Sequence, residues 1–204
     1  MKNLYPLCIL ISLLFVSGCG ATATTPNGTS SNPQESPVRQ TDDNGVSLPF
    51  ANSMPERWNR SNDGTPYEPC TAVTPEIAES QGLDPKSVAD AATVNGQTLR
   101  GCDWQYLDPS MLDWSAHQIV GDFSSLQSYR SRNEFFNWLP DRELSGRQVG
   151  VASLNSGDCF TYVQSRESGV VTGVSFASLP RPQLSEICDR AMALTRATID
   201  SIPE

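Results

Sequence analysis

The stretch RQVGVASLNSGDCFTYVQSRESGVVTGVSFA, residues 147–177, decides the fold. Within it, Arg147 to Ser153, Cys159 to Ser165 and Val170 to Ala177 are rich in β-branched and aromatic residues. Asn155-Ser156-Gly157-Asp158 and Glu167-Ser168-Gly169 separate them, short Gly-containing loops of the kind that join antiparallel neighbours. The three runs therefore read as a meander. Pro182 then opens a helical pattern in which Leu184, Ile187, Cys188, Ala191, Leu194, Thr195, Thr198, Ile199 and Ile202 recur at three and four residues. That apolar stripe needs a surface to cover it, and the preceding sheet supplies one.

Working outward, Arg100 to Leu107 and Leu112 to Val120 are apolar and aromatic, and Asp108-Pro109-Ser110 between them is turn chemistry, which predicts a β-hairpin. Thr74-Pro75-Glu76 supplies an N-cap, a proline at the first helical position and an early carboxylate, so a short helix is expected over 75–81, with Gly82 as its stop. Asp84-Pro85 repeats the start signal and predicts a second short helix to about Ala92. After Ser124 or Ser125, the residues Leu126, Tyr129, Asn133 and Phe136 keep an imperfect helical spacing, and Pro140 ends the segment. The predicted order is ααββαβββα: an α+β domain with helices packed on an antiparallel sheet of about five strands.

The chain has 204 residues, with 14 Lys plus Arg against 23 Asp plus Glu and a formal charge of −9. A nucleic-acid footprint needs a basic face, so nucleic acid is excluded as a partner. His117 is the single histidine, which leaves metal and nucleophilic chemistry short of its commonest ligand and base.

Residues 1–18 have the layout of an export signal: Lys2 is a short positive region, and Leu4 to Val16 is an apolar run too short to span a bilayer of about 30 Å. Val16-Ser17-Gly18-Cys19 resembles the lipobox of bacterial lipoproteins, which implies cleavage ahead of Cys19 and attachment of diacylglycerol to its sulfur. Two acyl chains anchor stably where one binds reversibly. An ordinary secretory signal is the alternative. The expectation is an exported chain held on the outer face of the cell membrane by the lipid on Cys19, with a mature charge of −10 once Lys2 is lost. Residues 19–56 are Thr-, Ser-, Pro- and Asn-rich without apolar periodicity, which predicts a flexible tether; residues 57–204 are left as one domain.

Removal of Cys8 and lipidation of Cys19 leave Cys70, Cys102, Cys159 and Cys188. An even number in an exported chain reads as a disulfide framework with three possible connectivities. Cys188 lies on the apolar stripe of the last helix and Cys159 begins a strand that this helix can cover. This favours Cys159–Cys188 with Cys70–Cys102 while leaving the other pairings open. Zinc, the rival use of four cysteines, is disfavoured because no two are spaced C-x₂₋₄-C, so no metal is expected.

Glu68-Pro69-Cys70, Thr74-Pro75, Gln81-Gly82-Leu83 and Arg100-Gly101-Cys102-Asp103-Trp104, with Cys159 in a strand and Cys188 in a helix ending Ser201-Ile202-Pro203, resemble the actinobacterial lipoproteins grouped as domain-of-unknown-function family 3558. The resemblance covers about Pro66 to the end, plus the lipobox and tether. It implies lipidation of Cys19 and structural roles for the other four cysteines, and it brings no catalytic residues and no cofactor. By analogy with small lipoproteins of similar layout it also implies a fold like that of PsbP and Mog1p. The excess of Arg over Lys, 12 to 2, suits a GC-rich genome.

Candidate chemistry is sparse. His117 could serve as a general base, against the commoner reading of a surface or hydrogen-bonded histidine. Gly173-Val174-Ser175-Phe176-Ala177 lacks the second glycine of a nucleophile elbow and lies in a strand pattern. Asp108, Asp113 and Asp122 have no calcium-loop spacing. Trp104 and Trp114 on the hairpin, with Phe136 and Trp138 in the run Phe135-Phe136-Asn137-Trp138-Leu139-Pro140, either fill core or line a ligand or partner surface. The expected function is a non-enzymatic envelope module that binds an envelope protein or a small ligand. The alternatives are a secreted hydrolase using His117 and a purely structural envelope component.

Overall fold

The computed structural model describes residues 37–204. The signal segment, Cys19 and the first part of the expected tether lie outside the described residues. Residues 37–204 form one unit, which contains its own cores and both of its disulfides.

Two short helices come first, α1 (Pro69–Ala72) and α2 (Pro75–Ser80). Thr74 caps α2 as its sequence requires, its hydroxyl accepting from the Ile77 amide at 3.3 Å. Seven strands follow: β1 (Ala89–Asp90), β2 (Leu99–Gln105), β3 (Trp114–Gly121), β4 (Asn137–Leu144), β5 (Arg147–Ser153), β6 (Asp158–Ser165) and β7 (Ser168–Phe176). Helix α3 (Leu126–Arg132) joins β3 to β4, and α4 (Leu184–Thr198) ends the fold with a 3₁₀ turn at Ile199–Ser201. All seven strands make one antiparallel sheet in the order β1-β2-β3-β7-β6-β5-β4. The meander β4 to β7 thus meets the β1 to β3 group along β3 and β7, paired from Trp114↔Phe176 to Gly121↔Gly169.

The α+β class holds, but the sheet has seven strands rather than about five. One extra strand, β1, is only two residues long and replaces the second half of the expected helix at 84–92. Pro85–Ser87 is a single 3₁₀ turn there, capped by Asp84. The other, β4, takes up the aromatic run. Helix α3 stops at Arg132, and Pro140 sits inside β4 instead of ending a helix. A strand tolerates proline there because β4 is an edge and its register with β5 shifts between Leu139 and Arg142.

Residues 37–56, expected as part of the tether, belong to the folded unit. Leu48 is buried in the main core, the Thr71 hydroxyl donates to Asp42 at 2.7 Å, and the Arg39 guanidinium lies 4.1 Å from the Trp58 ring.

One face of the sheet carries α4, whose Ile187, Ala191 and Leu194 pack on Trp104, Ala116, Val151 and Val174. Polar side chains are threaded through the same layer. Tyr67 donates to Gln118 at 2.6 Å, Gln118 donates to Thr172 and Thr198 at 2.9 and 3.0 Å, and Thr161 meets Thr195 at 2.6 Å. The opposite face is covered in part by α3, through a cluster centred on Tyr129 and Tyr162.

Two disulfides staple the unit, Cys70–Cys102 and Cys159–Cys188, bridging 32 and 29 residues. Loops of that size are worth about 3 to 4 kcal/mol each in the chain-entropy account.

Candidate functional site

The candidate residues are split between the two faces of the sheet. On the α3 face, Tyr129 stacks on Tyr162 at 5.0 Å and takes Phe123, Phe136 and Trp138 edge-on at 4.7, 6.4 and 5.8 Å. The Trp138 indole donates to the Asn133 carbonyl at 3.1 Å. Phe136 and Trp138 therefore close the small core that fixes α3.

His117 stands on the same face, opposite Asp103 on β2 and Gly173 on β7. A Cβ on Gly173 would lie 2.3 Å from the imidazole, so only glycine leaves room for this ring, whose other neighbour is Phe160 at 5.8 Å. His117 keeps part of its surface open to solvent. The ring is nonetheless packed closely enough that burial pushes it down to about 4, against a weaker opposing pull from Asp158. That carboxylate is itself engaged by the Leu154 and Asn155 amides at 2.6 and 3.3 Å. Burial, with Asp90 nearby, pushes the Asp103 carboxyl up. Ser175 lies within β7, paired with Ser115 on β3, and not at a strand-to-helix turn.

On the α4 face, Trp104 is wholly buried beside the Cys70–Cys102 bridge, on the wall of a cleft beneath α1 and α2. Trp114 lines no cleft itself, but it packs against Arg190, which does. A cleft of about 350 Å³ lies between the end of α2, the sheet and the first turns of α4. Its floor is Leu83, Ala116, Val174 and Leu194, and its charged rim is Glu186, Asp189 and Arg190.

The helix places Arg190 at the border of its apolar stripe, three residues after Ile187. From there the guanidinium reaches the two aromatic rings at the ends of the hairpin, 4.7 Å from Trp114 and 5.4 Å from Tyr106. Cation–π contact of this kind holds the group without neutralising it. Glu186, one turn earlier, accepts from Arg190 Nη2 at 3.3 Å, while Arg190 Nε is buried without a hydrogen-bond partner. Burial pushes the Tyr106 phenol up and Arg190 pulls it back down. The cleft therefore offers an apolar floor with one fixed cationic donor at its rim, flanked by two carboxylates.

Sequence reasoning reached Trp114 but missed Arg190. The available signal was Glu186 and Arg190 at helical i, i+4 spacing beside an otherwise apolar stripe. A buried ionic cluster was missed as well: Arg57 and Arg100 meet on Glu68, and Arg57 also bonds Asp90 at 2.8 Å. Among the described residues, no group of three or more His, Cys, Asp and Glu is arranged to hold a metal, and no helix is long and apolar enough to cross a membrane.

Comparison with curated proteins and with solved structures finds no match. A family profile described as "Protein of unknown function (DUF3558)" matches residues 14–201. That span takes in the disulfide-bonded domain, the Arg190 cleft and the Gly-Cys-x-Trp element of β2, and the chain belongs to this family.

Proposed function

We infer that the protein is an exported, lipid-tethered binding module of the cell envelope that takes a small ligand into the Arg190 cleft. The observation that carries the reading is the cleft itself: a concave apolar floor with a few convergent polar groups at its open rim is the usual form of a small-molecule site. The ligand chemistry that fits is a compact apolar body bearing one hydrogen-bond acceptor for Arg190. Binding is favoured over catalysis because burial beside Phe160 makes the one histidine a weak base and, among the described residues, it has no hydrogen-bonded carboxylate to orient it. The disulfides and the Cys19 lipobox support export and anchoring.

Two measurements test this. Cys19→Ser should move the protein from the membrane fraction to the soluble extracytoplasmic fraction; unchanged membrane association would remove the anchor. Native mass spectrometry of protein purified from its host should show a bound small molecule that is lost in Ala193→Phe, where an added ring fills the cleft. A ligand retained by that variant would place binding elsewhere.

A further inference from the structure

Seven large apolar side chains among the described residues are strongly exposed: Val46 and Val94, before α1 and in the β1–β2 connection, then Phe135 and four leucines, Leu107 at 59%, Leu112 at 78%, Leu154 at 50% and Leu179 at 81%. The antiparallel registers place all four leucines at one pole. Leu107 and Leu112 lie in the β2–β3 connection, Leu154 in the β5–β6 connection, and Leu179 between β7 and α4. Phe135, 70% exposed, precedes β4 at the same end. Scattered surface apolar residues need no explanation, but five of the seven strongly exposed ones gathered at a single end do.

These connections are hydrogen-bonded to one another. The Ala177 amide donates to the Asp113 carbonyl at 2.9 Å, Phe176 to the Gly157 carbonyl at 2.7 Å, and Arg181 to Asn155 and Ser156 at 3.1 and 2.7 Å. The leucines are thus carried on three connections tied together at their bases, with exposed Asp108 and Asp113 beside them. A protein interface has a continuous packed core. Apolar tips on three different connections suit a deformable apolar medium that each connection can enter. The charges select within that class: exposed Asp108 and Asp113 outnumber Arg181, whose partners Asn155 and Ser156 are uncharged, so the net charge repels anionic headgroups.

We propose that this leucine pole is a lipid-contact surface, which inserts its loop tips into the interface of a bilayer with zwitterionic or uncharged headgroups. The proposal is independent of the cleft and of the Cys19 anchor.

The test uses the unacylated chain from Gly20 to Glu204 with its disulfides intact. It should float with phosphatidylcholine vesicles, and less when part of that lipid is replaced by phosphatidylglycerol. Leu112→Asp with Leu179→Asp should weaken flotation at least about a hundredfold, since each leucine transfers about 1.5 kcal/mol or more. In the unsubstituted protein, nitroxide-bearing phosphatidylcholine should broaden the methyl resonances of Leu107, Leu112, Leu154 and Leu179 and spare those of buried Leu194. This readout does not depend on any variant folding. The idea is overturned by absence of flotation, by equal flotation of the double variant, by preference for the anionic vesicles, or by broadening elsewhere. A dimer that the same substitutions dissolve, without flotation, would assign the pole to a second copy of the chain and would also overturn it.

Discussion

Glu68 accepts two guanidinium groups inside the protein. Its Oε2 takes Arg57 Nη1 at 2.7 Å and Arg100 Nη1 at 3.0 Å, and all three side chains are at most 1% exposed. Arg100 also donates to the carbonyls of Asn62, Thr65 and Tyr67, so this charge cluster ties the segment before α1 to β2. Removing one partner of such a group leaves uncompensated buried charge, which costs about 3 to 5 kcal/mol. Glu68→Gln is therefore expected to lose that much in urea unfolding with the disulfides intact, and a loss under about 1 kcal/mol would contradict the account. His117 gives a second expectation at this scale. The unfolded chain binds its proton near the ordinary value of 6.5, whereas the folded protein resists until about 4. The stability this contributes is present above about pH 6.5 and is lost as pH falls toward 4, on the order of 2 to 3 kcal/mol. Thermal unfolding of the wild type should drop more between pH 7 and pH 4 than that of His117→Gln; superimposable profiles would place the proton uptake elsewhere.

At the scale of elements, strands β2, β3, β5, β6 and β7 and helices α2 and α4 were legible because local pattern and burial agree there. Residues of α4 that recur at three and four do face the sheet, and the cap chemistry of Thr74 marks the start of α2. Elements whose partner is remote in sequence were not legible. Strand β1 has two residues and exists only because Cys102 and Asp103 pair with it. Strand β4 carries a proline, so its pattern reads as a break, and only the register shift opposite β5 reveals why the strand survives. The candidate cleft shows the same division. Trp114 announced itself by type, while Arg190 gains its meaning from Tyr106 and Trp114, which lie about 80 residues away. Pro140 also has a protective consequence as an edge residue, because it removes a donor from the outermost strand. Pro140→Val should promote concentration-dependent association detectable by light scattering, and a variant as monodisperse as the wild type would show that the bulge alone is sufficient.

Over the whole molecule, β3 and β7 join a front group of strands to a rear meander, and each group holds a cysteine of a different disulfide, Cys102 in β2 and Cys159 in β6. Cys70 and Cys102 both precede Cys159 and Cys188. The native pairs therefore join consecutive cysteines, neither nested nor interleaved. For a chain that crosses a membrane N-terminus first, oxidation in order of emergence yields the native bridges directly. Biogenesis then requires an oxidant but no isomerase to undo wrong pairs.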